Sequence, residues 1–392
     1  MNPQIYLDHA SATPVRPAAA AAQAAALDAF ADPLQSHAPG RHAAAVLEAA
    51  RQTVADGLGA QADEIVFTSG GTESVALALI GAARARRADG TRIVIGAIEH
   101  PSVGAAGRLL AEDGVEVATV GVDEHGRLDT DAFMTQVRVP GTILASVQHA
   151  NHEVGTLQPV AEATRLARES GVTIHCDAAQ TAGRLPIDVH ALDVDLLTIS
   201  GHKFGAPPGI GALYVGRGVP LAGFPPGDVR ERHRRAGAEN LPGAVAMAAA
   251  MTDALDELAD QAAAQWALTD LLRSGLDAIA SVSTHGHPTQ RAPHLVCFSA
   301  DGVDPDVLLM ALDERGFRLS CGCIERGLAG EASPVLKAMG IPDTVGFRAS
   351  VGRETTREDI ERFLAEITPL IEELHRVEHA SRRSLARGDA DG

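Results

Sequence analysis

Between Ile65 and Val215 the chain repeats one pattern: a short apolar run, a small-residue turn, then a helix-forming stretch. "EIVFTSG" leads into "TESVALALIGAARARR", and "RIVIGAIEH" into "SVGAAGRLLAE". "TILASVQ", "VTIHCDA", "DLLTISG" and "GALYVG" follow at comparable spacing. Strands that are apolar at nearly every position have no wet face, so helices must cover both sides of the sheet. That arrangement is an α/β fold with a mostly parallel sheet. In such a sheet ligands bind beyond the carboxyl ends of the strands. Residues 69–72, His100, 148–153, 177–180 and 200–203 all fall at those ends and are expected around one crevice.

Past Met251 the rhythm changes to a long helical stretch, "TDALDELADQAAAQWALTDLLRS", followed by mixed strands and helices. A length of 392 residues exceeds what one core usually serves. We expect a large domain over 15–250, and a smaller α+β domain from 1–14 with 251–375. The segment 376–392 is expected to be a flexible tail. The last helix should start near Thr356 with Asp359 as its capping-box partner. The Ala-rich run 18–26 has no basic segment before it and is too short to span a bilayer, so it reads as a helix starting near Pro14 to Pro17. A net charge of −18 disfavours nucleic acid and anionic membranes as partners. Four cysteines in so long a chain do not make a disulfide framework, which fits a cytoplasmic setting.

Chemistry concentrates at the strand ends. Lys203 lies in a small-residue turn after the buried strand "DLLTIS"; alone, it could equally be a surface loop lysine. Gly70-Gly71 opens a helix at Thr72, where glycines allow close approach and free N–H groups favour a phosphate. Asp177 ends another strand. A carboxylate there, facing a heteroaromatic N–H, would gain ~4 kcal/mol at 4 Å and an effective dielectric near 20, or roughly three pKa units. His100 is placed to stack on a flat ring, although a lone histidine is more often structural. Lys203, the Gly71-Thr72 cradle, Asp177 and His100 together describe a site for pyridoxal 5'-phosphate.

The chain resembles the cysteine desulfurase family, class-V aminotransferase group, of fold-type I pyridoxal-phosphate enzymes. The resemblance runs through "IYLDHASATPVRP", "FTSGGTES", "IEHPSV", "NHEVGTLQPV", "HCDAAQTAGRLPIDV", "SGHKFGAPPGIGALYV", "RRAGAENLPG", "SPVLKAMGI" and "FRASVGRETTREDI". It implies a seven-stranded sheet, a homodimer and an amino-acid substrate. It also implies that Lys203 holds the cofactor covalently, His100 stacks on its ring and Asp177 meets the pyridine nitrogen. Gln180 would lie near the phenolic oxygen, and Thr72, Ser200 and His202 near the phosphate. Arg348 would clamp the substrate carboxylate.

The chain departs from the family in three places. Where the family has two asparagines before a glutamate, this sequence has Asn151-His152-Glu153; either His152 takes over the contact to the cofactor oxygen, or Asn151 shifts towards the cofactor and substrate. A threonine that reaches the neighbouring subunit's phosphate is replaced by Ala238, with Arg230, Arg232, Arg234 and Arg235 nearby. Finally, the sulfur-accepting cysteine of the family lies eight residues before the serine that is Ser333 here, and that position holds Glu325. Cys321 and Cys323 come earlier. Three readings follow. Cys323 or Cys321 carries the persulfide on a remodelled loop; the two cysteines bind a metal, for which their spacing is too tight; or no protein thiol is needed. The last favours β-elimination from cysteine or an S-substituted cysteine, giving a thiol, pyruvate and ammonia, with the remodelled loop shaping the pocket and Glu325 or Arg326 binding the substrate's polar groups. Decarboxylation or oxidative deamination of a conjugate is a further alternative. The leading expectation is C–S bond cleavage in cysteine or a cysteine conjugate.

Overall fold

The computed structural model describes residues 4–321, 332–341 and 344–388, with 378–388 described by backbone alone. After a short strand β1 (Ile5–Tyr6) come the strands of the large sheet. They are β2 (Ile65–Thr68), β3 (Arg92–Gly96), β4 (Glu116–Val120), β5 (Thr142–Ser146), β6 (Thr173–Asp177), β7 (Leu196–Ser200) and β8 (Gly211–Val215). Their order is β2-β8-β7-β6-β5-β3-β4, and β8 alone runs antiparallel to its neighbours.

Every residue of β2, β3, β5, β6, β7 and β8 is buried, which is why those strands show up as apolar runs. Side chains alternate between two cores. Val66, Ile93, Leu144 and Leu213 pack against helices Gly71–Ala85 and Pro101–Glu112, through Val75, Leu79, Val103 and Leu110. Phe67, Val94, Ile174 and Leu197 face Leu47, Leu166 and Met247 of helices Ala38–Asp56, Val160–Glu169 and Leu241–Asp256. The sequence pattern did not mark β4, an edge strand that is largely exposed except at Val120. The N-terminal helix spans Pro17–Ala26 with proline in its first turn, as expected. The helix expected after Met251 is two helices, Leu241–Asp256 and Leu258–Asp277, which meet at Glu257. The first starts earlier because Asn240 caps it, accepting from the Gly243 N–H at 3.0 Å.

A third core belongs to strands β9 (Val282–His285), β10 (Leu295–Ala300), β11 (Phe317–Arg318), β12 (Ser320–Cys321) and β13 (Phe347–Ser350). An antiparallel sheet β12-β13-β10-β9 buries Phe298 and Phe347 against Leu272, Leu276, Phe363 and Ile367. Strand β1 joins this part of the molecule by pairing in parallel with β11, and Leu7 enters the same core. At the last helix, Arg357–Gly388, the Thr356 N–H donates to Asp359 at 2.9 Å and the Asp359 N–H to the Thr356 hydroxyl at 3.2 Å. This is the expected capping box. The segment from 376, expected as a flexible tail, is helical backbone as far as Gly388, where Ala, Arg and Leu are strong helix formers.

Candidate active site

The carboxyl ends of β6 and β7 and the starts of two helices enclose a cavity of about 290 Å³. Its phosphate-sized corner follows from local backbone. Gly70 has φ of +153°, a conformation open to glycine, and turns the chain directly from β2 into helix Gly71–Ala85. The Gly71 N–H donates to Ser200 Oγ at 3.3 Å, and Ser200 Oγ also pairs with His202 Nδ1 at 3.1 Å. A Cβ on Gly71 would stand 3.3 Å from that of Ser200, so a larger residue would press Ser200 out of place in this corner. Thr72 and the helix start complete an anion-favouring corner.

Lys203 reaches the cavity from the turn after β7. Its Nζ donates to the carbonyls of Ala10 at 2.6 Å and Ser11 at 2.9 Å. Burial, reinforced by Arg348 and Arg184, pushes its pKa down to about 7. Asp177, at the end of β6, accepts from the Ala179 N–H at 3.0 Å. Burial raises its pKa, while His100, this N–H and Lys203 pull it back. A buried carboxyl that resists ionisation is well matched to a partner that brings its own proton, such as a protonated ring nitrogen. Behind it, Glu99 accepts from the Gln148 N–H at 2.6 Å, and burial followed by Asp177 lifts its pKa to about 8.

His100 caps helix Pro101–Glu112, with Nδ1 accepting from the Ser102 N–H at 3.2 Å. Its ring meets His152 edge to face at 5.3 Å. Burial first, then His100, Arg348 and Lys203, holds His152 well below the usual imidazole range, so it is neutral. Its buried Nδ1 has no partner among the described residues. Gln180 lines the same cavity, held by donation to the Ala10 carbonyl at 3.0 Å and by bonds from Arg184 and His294 to its Oε1.

Gly71, Thr72, His100, His152, Asp177, Gln180, Ser200, His202 and Lys203 are thus brought together. Ser102 joins them without a sequence signal beyond its place in the first turn of a helix. Arg348, on β13, is one residue removed from the cavity. It donates to the His152 carbonyl at 2.7 Å, to Ser11 Oγ at 2.5 Å, to Asp8 at 3.0 Å and to Ser320 at 3.1 Å. Its Nε has no partner among the described residues. Asn151, expected near the cofactor and substrate, is fully buried and spends its side chain on the Glu153 and Val154 N–H groups and the Ile98 carbonyl, so it shapes the loop. Of the arginines near Ala238, Arg230 pairs with Asp32, Asp228 and Glu239, Arg232 with Glu48, and Arg235 with Glu73 beside the phosphate corner, while Arg234 donates to the Asp63 carbonyl. Cys323, Glu325 and Arg326 lie outside the described residues.

The Aminotransferase class-V model matches residues 5–363. The chain belongs to the class-V aminotransferase family. It is 36% identical over 380 residues to a protein of Methanosarcina thermophila named cysteine desulfurase IscS, covering 96% of this chain and 94% of that one. One from Anaeromyxobacter dehalogenans with the same name is 38% identical over 393 residues, covering 95% and 96%. Among solved structures, a NifS-like protein superposes with a TM-score of 0.88 at 30% identity, covering 95% of this chain and all of that one. A NifS-like protein from Rickettsia africae gives 0.85 at 26% identity, covering 94% and 99%. Members of this family are pyridoxal-phosphate enzymes, and this chain is one. The geometry fits that cofactor: a glycine corner for phosphate, a lysine amine, a buried carboxyl and an unpartnered imidazole nitrogen share one cavity.

Proposed function

We propose that this enzyme cleaves the C–S bond of L-cysteine. The observation that carries the reading is the convergence of Lys203, with its depressed pKa, and Asp177 on one cavity, one residue away from the carboxylate-binding geometry of Arg348. Bound there, pyridoxal phosphate would supply an electron sink that acidifies the α-proton of an amino acid. Lys203, half of it neutral at pH near 7, is suited to take that proton and return it. Asp177 would hold the ring nitrogen in its protonated form, and His152 Nδ1 is free to bond the phenolic oxygen. Arg348 would accept the substrate carboxylate in exchange for part of its hold on Asp8 and Ser320. The names of the relatives, cysteine desulfurases, support free cysteine as substrate; nothing in them supports the S-conjugate expected from the sequence. In this reading sulfur passes to the thiol of Cys323 or Cys321, leaving L-alanine and an enzyme persulfide. A homodimer in the cytoplasm is part of the proposal. Leu27 at 64% exposure, Phe30 at 86% and Leu34 at 51% support a second copy covering that face.

Glu325 favours one second reading, because it stands eight residues before Ser333, where the acceptor thiol is expected. With no thiol in reach, cysteine and water would give pyruvate, ammonia and hydrogen sulfide. Wild type and Cys321→Ala/Cys323→Ala, each given L-cysteine with alanine and pyruvate quantified, separate the two. The proposal expects alanine from wild type and its collapse in the double variant. Pyruvate as the main product, undiminished in the double variant, would establish elimination. Turnover of an S-alkyl cysteine in preference to cysteine would restore the conjugate reading.

A further inference from the structure

Among the described residues six arginines are buried: Arg16, Arg51, Arg92, Arg184, Arg291 and Arg348. Five have a carboxylate: Glu257, Glu231, Glu116, Asp270 and Asp8 respectively serve Arg16, Arg51, Arg92, Arg291 and Arg348. Arg184 is the exception. It donates to the Gln180 Oε1 at 3.2 Å and to the His9 carbonyl at 2.8 Å, both neutral acceptors, and no carboxylate among the described residues pairs with it. Burying a charge without a counter-charge is costly, so buried charges are as a rule paired.

Arg184 borders a second cavity, of about 50 Å³, and Lys203 lines this one as well as the cofactor cavity. A single water needs roughly 10–15 Å³ of such space, so there is room for a small ion with water. Two buried polar atoms on residues of its wall lack partners among the described residues: His9 Nδ1 and Gln265 Oε1. A flipped Gln265 amide presents N–H in place of oxygen and so can donate, whereas burial and Arg184 keep the His9 ring neutral while its other nitrogen bonds the Tyr6 backbone. The one carboxylate on the wall, Glu354, bonds Arg353 at 3.3 Å, and Arg16 is served by Glu257 at 2.9 Å. The acids here are matched to other cations. Water would satisfy the idle groups but not the charge on Arg184.

We propose that this cavity is an anion site that takes a halide-sized monovalent anion paired with Arg184, on a second side of Lys203 distinct from the cofactor cavity. The anion offsets the field of Arg184 at the Lys203 nitrogen and fixes the arm of Arg184 that orients Gln180. The site remains in demand in the holoenzyme, where Arg184 keeps its charge whatever happens at Lys203.

The test uses the holoenzyme. Crystals grown without halide and soaked in sodium bromide should show an anomalous peak in contact with the Arg184 guanidinium. In solution the unfolding midpoint should stand about 2 °C or more higher in sodium chloride than in sodium gluconate at equal ionic strength. That difference should vanish in Arg184→Gln and survive in Arg184→Lys, which keeps the charge. An absent bromide peak at Arg184 overturns the proposal on wild type alone, even if Arg184→Gln fails to fold. A chloride effect of equal size in Arg184→Gln overturns it as well.

Discussion

Lys203 should behave as an amine with a pKa near 7 in the cofactor-free protein. The amine is buried between two cavities, with Arg348 and Arg184 as nearby cations, and Asp8 and Asp177 only partly offset them. At pH 8 an amine of pKa about 7 is about 90% neutral, whereas a lysine at its ordinary 10.5 is about 0.3% neutral. The free-base fraction is therefore raised roughly 300-fold at that pH. Competitive acetylation with trace acetic anhydride, followed by peptide mass spectrometry from pH 5.5 to 10.5 at fixed chloride, reads the titration of this one side chain. The rate for Lys203 should level off above pH 8, while Lys337, the other lysine of the chain, serves as internal reference. Arg348→Met removes a cation and should move the midpoint upward; Asp8→Asn removes an anion and should move it downward. A midpoint above 9, or a fall in Arg348→Met, would refute the electrostatic reasoning. Linkage follows with a definite sign. Between about pH 7 and 10.5 the unfolded chain binds a proton at this residue that the fold does not, so this group makes the cofactor-free fold more stable as pH rises through that window.

Two other perturbations probe the framework. Glu231 is buried, bonds Arg51 at 2.6 and 2.8 Å and accepts from the Phe67 N–H at 3.0 Å, so Glu231→Gln removes the buried counter-charge and leaves Arg51 only the half-exposed Glu48 at 2.9 Å. A loss of about 3–5 kcal/mol by chemical denaturation is expected, and a loss below 1 kcal/mol would show that the pair is not the counter-charge it appears from its geometry. Gly70→Ala places a side chain at φ of +153° beside the phosphate corner; affinity for pyridoxal phosphate, titrated by absorbance, should fall about tenfold or more. Unchanged affinity would remove Gly70 from the corner.

Much of this site was legible because a buried parallel strand must be apolar while the residue after it is released from that demand. Lys203, Asp177 and His100 stand out as polar residues at such points, and the glycines at 70–71 mark the backbone that has to turn there. β4 was not legible because an edge strand with one buried residue carries no apolar run. Asn151 lay in the right loop, but its side chain was claimed by nearby backbone, which spacing alone does not reveal. Arg184 gave a faint signal, a charge in the otherwise small and apolar "AAQTAGRLPI"; its lack of a counter-charge depends on residues from four distant parts of the chain.

Residues 7–11 hold Lys203, and they are held in turn by β13 and β11. Ala10 and Ser11 supply the carbonyls that anchor Lys203. The Ala10 N–H is bound by Ser350 Oγ at 2.8 Å, the Ser350 N–H by the Leu7 carbonyl at 2.7 Å, and the Leu7 N–H by the Arg318 carbonyl at 2.7 Å. During synthesis the segment 7–11 therefore waits for its partner until β13 has been made. A nascent large domain can form its sheet and its phosphate corner early, yet Lys203 has no fixed anchor until β13 emerges. A chain truncated before residue 350 would lack the clasp that holds Lys203 in place.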